Sequence, residues 1–194
     1  MEKASLLSIF RGGNTVFTFK DILLASGKTD ASLLRRRIHY YVKAKELYPI
    51  RRGIYAKDKK YDRLELANKI FSPSYISFET VLAKEGIVFQ HYDQIFVAGY
   101  LTREISCDGN IYTFRKLKNP VLANSLGIEI KANYSIASRE RAFMDTLYLN
   151  PNYHFDHLSS IDWEKCKKIL PIYGNKALAK RLNSYLKLNQ HVDE

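Results

Sequence analysis

The chain has 194 residues, 46% of them hydrophobic, and a formal net charge of +11. That length fits one large domain or two small ones with a real core. No apolar run approaches the roughly 20 residues of a membrane span, and two distant cysteines, Cys107 and Cys166, make neither a disulfide framework nor a metal-ligand pattern. The opening MEKASLLSIFRGG lacks the long apolar core of a signal peptide, so a cytoplasmic protein is expected. The charge is unevenly placed. Residues 1–61 hold 14 Lys and Arg against 5 Asp and Glu, while residues 62–194 hold 17 against 15. Such asymmetry points to a nucleic-acid-binding module joined to a near-neutral one. Charge alone does not choose DNA over RNA or a membrane surface.

Leu6, Leu7, Ile9 and Phe10 predict a short first helix, closed by Gly12-Gly13. A second helix is predicted from Phe19 to Ser26, capped by Thr18, with Asp21 in its first turn and Gly27 at its end. Lys28-Thr29 is the expected turn, and Asp30 the expected cap of a third helix through ASLLRRRIHYYVKAKEL. Leu34, Ile38 and Tyr41, with Val42 beside them, form its apolar stripe. The opposite face carries Ser32, Arg35, Arg36, His39, Tyr40 and Lys43. The period then changes. Leu47–Ile50 and Ile54–Ala56 read as short strands around the turn Arg51-Arg52-Gly53, with Pro49 keeping its strand at an edge. Lys57–Lys60 reads as a solvated linker.

Beyond it, helices are predicted at Arg63–Phe71, at Phe78–Lys84 with Ser77 as its cap, and from Ser138 through Leu149. Two more are predicted at Trp163–Leu170 and Lys176–Leu188. Strands are predicted near Gln94–Ala98, Arg103–Ser106, Ile111–Lys116 and Ile128–Ile136. The expectation is an α+β protein: an N-terminal winged helix-turn-helix over residues 1–61 and a mixed α/β domain over residues 62–194.

Helix, turn, helix and a two-stranded wing suit DNA. A helix fits the major groove, and an Arg fork holds guanine O6 and N7 together. Arginines at a hairpin tip suit a narrow minor groove or phosphates. An Arg run on a helix is commonly only a solvated face, and a helix-turn-helix pattern recurs in many folds. The joint placement of arginines on the third helix and the hairpin is the stronger signal. It makes Ser32, Arg35, Arg36, His39, Tyr40, Lys43, Arg51 and Arg52 the expected DNA contacts. Tyr41 is expected in the core and Tyr40 at a phosphate.

Three stretches, LYPIRRGIYAKD, SPSYISFETVLAKEGIVFQ and ASRERAFMDTLYLNP, resemble the AbiEi-type antitoxins of abortive-infection toxin–antitoxin pairs. The resemblance covers roughly residues 17–151. It implies a repressor that binds inverted repeats of double-stranded DNA in its own promoter. It also implies a C-terminal domain that neutralises a nucleotidyltransferase-like toxin, without a stable complex between the two. By position it makes Arg35, Arg36, Arg51 and Arg52 DNA contacts. It leaves open a stand-alone regulator with no toxin, and it does not say which C-terminal residues neutralise one.

No cofactor is expected, and the chain is not expected to be an enzyme. One catalytic pattern competes. Glu129-x-Lys131 with Asp108 upstream spells the metal-binding set of restriction-type nucleases. With 10 Glu and 19 Lys in the chain, one such spacing is expected by chance, and an exposed strand face with a weak ion pair is the simpler reading. His154-x-x-His157 with Asp156 falls in an expected surface loop. Neither G-x-x-x-x-G-K-[ST] nor G-x-S-x-G occurs. Asp145, amid Phe143, Met144 and Leu147, is expected to face the core and bond to nearby backbone.

Overall fold

A computed structural model describes residues 12–27 and 30–190. The helix expected at Leu6–Phe10 and the Lys28-Thr29 turn lie outside them. Within them the chain is mixed α+β, with eight α-helices and two sheets.

The N-terminal elements are strand β1 (Val16–Thr18), helices α1 (Phe19–Ala25) and α2 (Ala31–Lys43), and the hairpin β2 (Tyr48–Arg51) and β3 (Ile54–Ala56). The strands form an antiparallel sheet in the order β1-β3-β2, so Pro49 does lie in an edge strand. β1 was not expected: three residues running straight into a helix leave no alternation to read. Thr18 caps α1 in a reciprocal box, its hydroxyl accepting from Asp21 N and Asp21 accepting from Thr18 N. Asp30 caps α2 by accepting from the backbone N–H groups of Ser32 and Leu33. α2 ends at Lys43 rather than Leu47. Lys45 takes a left-handed φ of 59°, and Leu47 N turns back to the Tyr41 carbonyl, which seats Leu47 in the core. Phe17, Ile22, Leu34, Ile38, Tyr41 and Leu47 make a small core of their own.

The larger part begins with α3 (Arg63–Ile70) and strand β4 (Ser74–Ile76), followed by α4 (Glu79–Lys84), β5 (Ile95–Gly99), β6 (Arg103–Cys107) and β7 (Asn110–Lys116). Then come α5 (Asn119–Leu122), β8 (Ile128–Ile130), β9 (Ser135–Ala137), α6 (Arg139–Leu149), α7 (Trp163–Ile169), a 3-10 turn (Leu170–Tyr173) and α8 (Lys176–Gln190). Six strands form one mixed sheet in the order β6-β7-β5-β4-β9-β8. The single strand expected at Ile128–Ile136 is a hairpin, β8 pairing antiparallel with β9. Ser77 does not cap α4. Its hydroxyl donates to Asp145, and Phe78 stands at the cap position with φ 55°.

Every residue of α6 from Glu140 to Leu147 is buried. Such a helix carries its polar side chains inward, where they need partners. Arg141, fully buried, donates through Nε to Asp145 Oδ1 at 3.3 Å and through Nη1 to the Leu126 carbonyl at 2.8 Å. Its Nη2 donates to Tyr75 Oη at 3.0 Å and the Val121 carbonyl at 2.7 Å. Asp145 also accepts from Tyr75, Ser77 and Tyr173 hydroxyls, at 2.9, 2.8 and 2.6 Å. Asp145 thus faces the core as expected, but its partners are the side chains of Tyr75, Ser77, Arg141 and Tyr173, not nearby backbone. Burial pushes its carboxyl above the usual range, against the pull of Arg141 and the three hydroxyls.

The two parts interlock. Val16, Ile54 and Ala56 sit in the larger core, not the smaller one. Thr15 donates to buried Glu65 of α3 through N and Oγ1, at 2.8 and 2.7 Å. Lys69 of α3 pairs with Asp21 at 2.8 Å. Burial raises the Asp21 carboxyl, but Lys69 and the Thr18 N–H outweigh it and leave the group below its usual range. A depressed carboxyl stabilises the fold above the unfolded pKa and loses that contribution as pH falls through the folded one. Asp21→Asn is therefore expected to cost about 1 kcal/mol at neutral pH. In urea unfolding, its deficit should shrink as pH drops below the ordinary aspartate range. A deficit that stays constant from pH 7 to pH 3 would exclude the charge as its cause.

Candidate nucleic-acid interface

At 100° per residue the polar and apolar positions of α2 separate cleanly. Leu34, Ile38 and Tyr41 are buried, while Ser32, Arg35, Arg36, His39, Tyr40 and Lys43 are all exposed on the other side. Tyr40 is 63% exposed and Tyr41 only 8%.

The exposed groups differ in freedom. The Ser32 hydroxyl donates to Asp30 Oδ1 at 2.8 Å, so it serves the helix cap. The Leu33 and Ser32 N–H groups and that hydroxyl hold the Asp30 carboxyl below its usual range. The Arg35 guanidinium lies over the Phe19 ring, 5.1 Å from its centroid. That contact fixes the plane and leaves edge donors open. Phe19 N donates to the Gly53 carbonyl at 2.7 Å, which ties the hairpin turn to the start of α1. Gly53 holds φ 77°, a value that suits glycine at this turn. Lys20, exposed at the start of α1, adds a cation beside that junction. The sequence offered no separate signal for Lys20, since its place depends on the Phe19–Gly53 contact.

The two hairpin arginines part company. Arg52 is exposed at the turn. Arg51 ends β2 and is half-buried, with Nη1 enclosed and without a hydrogen-bond partner among the described residues. It lies near Cys107, whose thiol donates to the Ile50 carbonyl at 3.7 Å. Burial raises the Cys107 thiol, against the nearby Arg51 charge. Arg51 is thus turned toward the β6–β7 turn rather than standing free at the tip.

That turn also accounts for Asp108. Its carboxylate accepts from Tyr48 Oη at 3.0 Å and Tyr61 Oη at 2.7 Å, clasping the hairpin and the segment after it to the larger sheet. Glu129 lies on β8, the opposite edge of that sheet. Four strand spacings separate β7 from β8, which places Asp108 and Glu129 on the order of 20 Å apart. The set Asp108, Glu129 and Lys131 therefore does not assemble. Glu129 and Lys131 instead make a half-exposed ion pair with each other. Among the described residues no group of three or more His, Cys, Asp and Glu is placed to hold a metal ion. His154 is exposed in a loop, and Asp156 accepts from Phe89 N at 2.8 Å. No described helix is long and apolar enough to cross a membrane.

No family model matches the chain, and no curated protein does either. Among solved structures, the chain is similar to the crystal structure of the RV2827C protein from Mycobacterium tuberculosis. The TM-score is 0.52 at 11% sequence identity, over 94% of this chain and 74% of that one, a likeness of fold.

Proposed function

We propose that the protein is a DNA-binding transcriptional repressor that acts as the antitoxin of a toxin–antitoxin pair. In this reading, β1–β3 with α1 and α2 form a winged helix-turn-helix, and the protein represses its own operon. One observation carries it. Arg35, Arg36, His39, Tyr40 and Lys43 line one exposed face of α2, beside the hairpin that presents Arg52. A helix about 10–12 Å across fits the major groove, which is about 12 Å wide. Arg36 reads base edges, Lys43 and Tyr40 hold phosphates, and Arg52 senses phosphate or minor-groove shape. The partner is double-stranded DNA carrying inverted repeats. The antitoxin half rests on the resemblance of the three motifs, with a nucleotidyltransferase-like toxin as a functional partner that forms no stable complex.

Footprinting on the DNA upstream of the protein's own gene tests the repressor reading, with protection of an inverted repeat as the expected result. Absence of any protected sequence would sink it. Co-expression with a nucleotidyltransferase encoded beside it tests the other half. Relief of growth arrest marks an antitoxin, and repression without relief marks a regulator that acts alone. Binding should also weaken steeply with salt, by a log–log slope of about −0.9 for each phosphate neutralised. A flat response between low and moderate salt would remove the phosphate contacts from the account.

A further inference from the structure

Between the end of α4, the β8–β9 hairpin, the start of α6 and α7 lies a cleft of about 630 Å³. Its lining comes from residues 81–169, so it owes nothing to the exposed face of α2. That volume falls in the range of small-molecule sites, about 300–1,000 Å³. We propose that the cleft binds a small organic phosphate of nucleoside monophosphate size, with the phosphate at a lysine rim and a hydrogen-bond donor of the ligand's other end on Glu140.

The rim argues for the anion. Lys84 of α4, Lys131 of the hairpin and Lys165 of α7 all act on the Glu129 carboxylate. Lys131 acts most strongly and holds the group below its usual range. Lys168 joins them from the same face of α7, three residues beyond Lys165. Lys131 pairs with Glu129 and Lys165 with Asp162, while Lys84 and Lys168 have no carboxylate partner among the described residues. The carboxylates of Glu85, Glu129, Glu140 and Asp162 share the lining with these cations, and Lys84 and Lys168 are the ammonium groups left to hold a phosphate dianion.

The depth argues for the donor. Glu140 lines the cleft at 4% exposure and accepts no hydrogen bond among the described residues. Its charged neighbour is Arg139, whose Nε lies 3.9 Å away and whose Nη2 is drawn to Glu85 at 3.3 Å. Ser160 Oγ, also in the lining, is enclosed without a partner. A carboxylate that lines a cleft and lacks protein donors can accept from a ligand N–H or O–H. Val81, Ile128, Ile136 and Ile169 supply apolar wall between the two ends, as a flat ring requires.

Calorimetric titration of the full chain with guanosine and adenosine 5′-monophosphates, and with inorganic phosphate, tests this. One of the nucleotides should bind at a single site, more tightly than inorganic phosphate. Lys84→Gln with Lys168→Gln, both exposed positions that leave the core alone, should weaken it by about tenfold or more. Glu140→Met, which keeps the length of the side chain and removes the acceptor, should erase the preference over inorganic phosphate. Arg36→Ala should leave the affinity unchanged, which separates this site from the DNA face. Failure of both nucleotides to bind, equal binding of inorganic phosphate, indifference to the lysine changes, or loss in Arg36→Ala would each overturn the proposal.

Discussion

Arg141→Met should cost about 3–5 kcal/mol, a large share of the roughly 5–15 kcal/mol that holds a typical domain together. The change removes a buried cation and leaves the Asp145 carboxyl fully buried, with three hydroxyl donors but no counter-ion. It also strips the Leu126 and Val121 carbonyls of their Arg141 donors. Asp145→Leu should cost a similar amount, since it orphans the guanidinium and the hydroxyls of Ser77 and Tyr173. Combining the two should recover only part of the loss, because three hydroxyls and two carbonyls remain without partners. Urea unfolding of the four proteins gives the cycle. A loss below about 1 kcal/mol in either single variant would mean that water reaches the network and replaces the missing partner.

Arg36 and Arg52 should fail in different ways. Arg36 is exposed near the start of α2, the end that would reach base edges in the proposed reader. Arg36→Ala should cost about 1–3 kcal/mol on operator DNA and much less on random DNA, so that operator preference falls. Arg52 is exposed at a turn, where the proposed reader would sense phosphate or groove shape. Arg52→Ala should weaken both DNAs alike and reduce the salt slope by about one. Competition between operator and random DNA measures both. If neither change alters binding to either DNA, the proposed reader is wrong. Arg51→Ala provides a contrast. Its enclosed Nη1 and position near Cys107 predict a stability change larger than its effect on DNA.

What the sequence revealed depended on how local the signal was. The caps of α1 and α2, the polar face of α2 and the Gly53 turn were legible because each is set within a few residues. β1, β4 and the split of β8 from β9 were not, since strands of three residues are defined by their neighbours. Asp108-Gly109 is a two-residue hairpin signature, and both residues have positive φ, so Asp108 belongs to a turn and not to a metal-ligand set. The half-burial of Arg51 was not legible, because a turn's sequence does not say which side chain meets another sheet. The Arg141–Asp145 network was invisible for the same reason. Its members lie on two of the quoted motifs and at Tyr173, and only the fold brings them together. The cleft rim, drawn from three separate elements, left no trace in sequence beyond the Glu129-x-Lys131 pair.

The interlock between the two parts bears on how such a chain can be dissected. The sheet of β1–β3 lends Val16, Ile54 and Ala56 to a core built mostly by residues after 61. Thr15, Asp21, Tyr48 and Tyr61 each hold a partner there. A fragment cut at residue 61 would therefore open an apolar face to water and strip all four residues of these partners at once. Its failure to bind DNA would report on folding, not on recognition. A graft onto a foreign body would have to carry a matching floor: a carboxylate where Glu65 stands, a lysine for Asp21, and an Asp-Gly turn to receive two tyrosines. The basic third is distinct in charge, yet it is not a portable cassette.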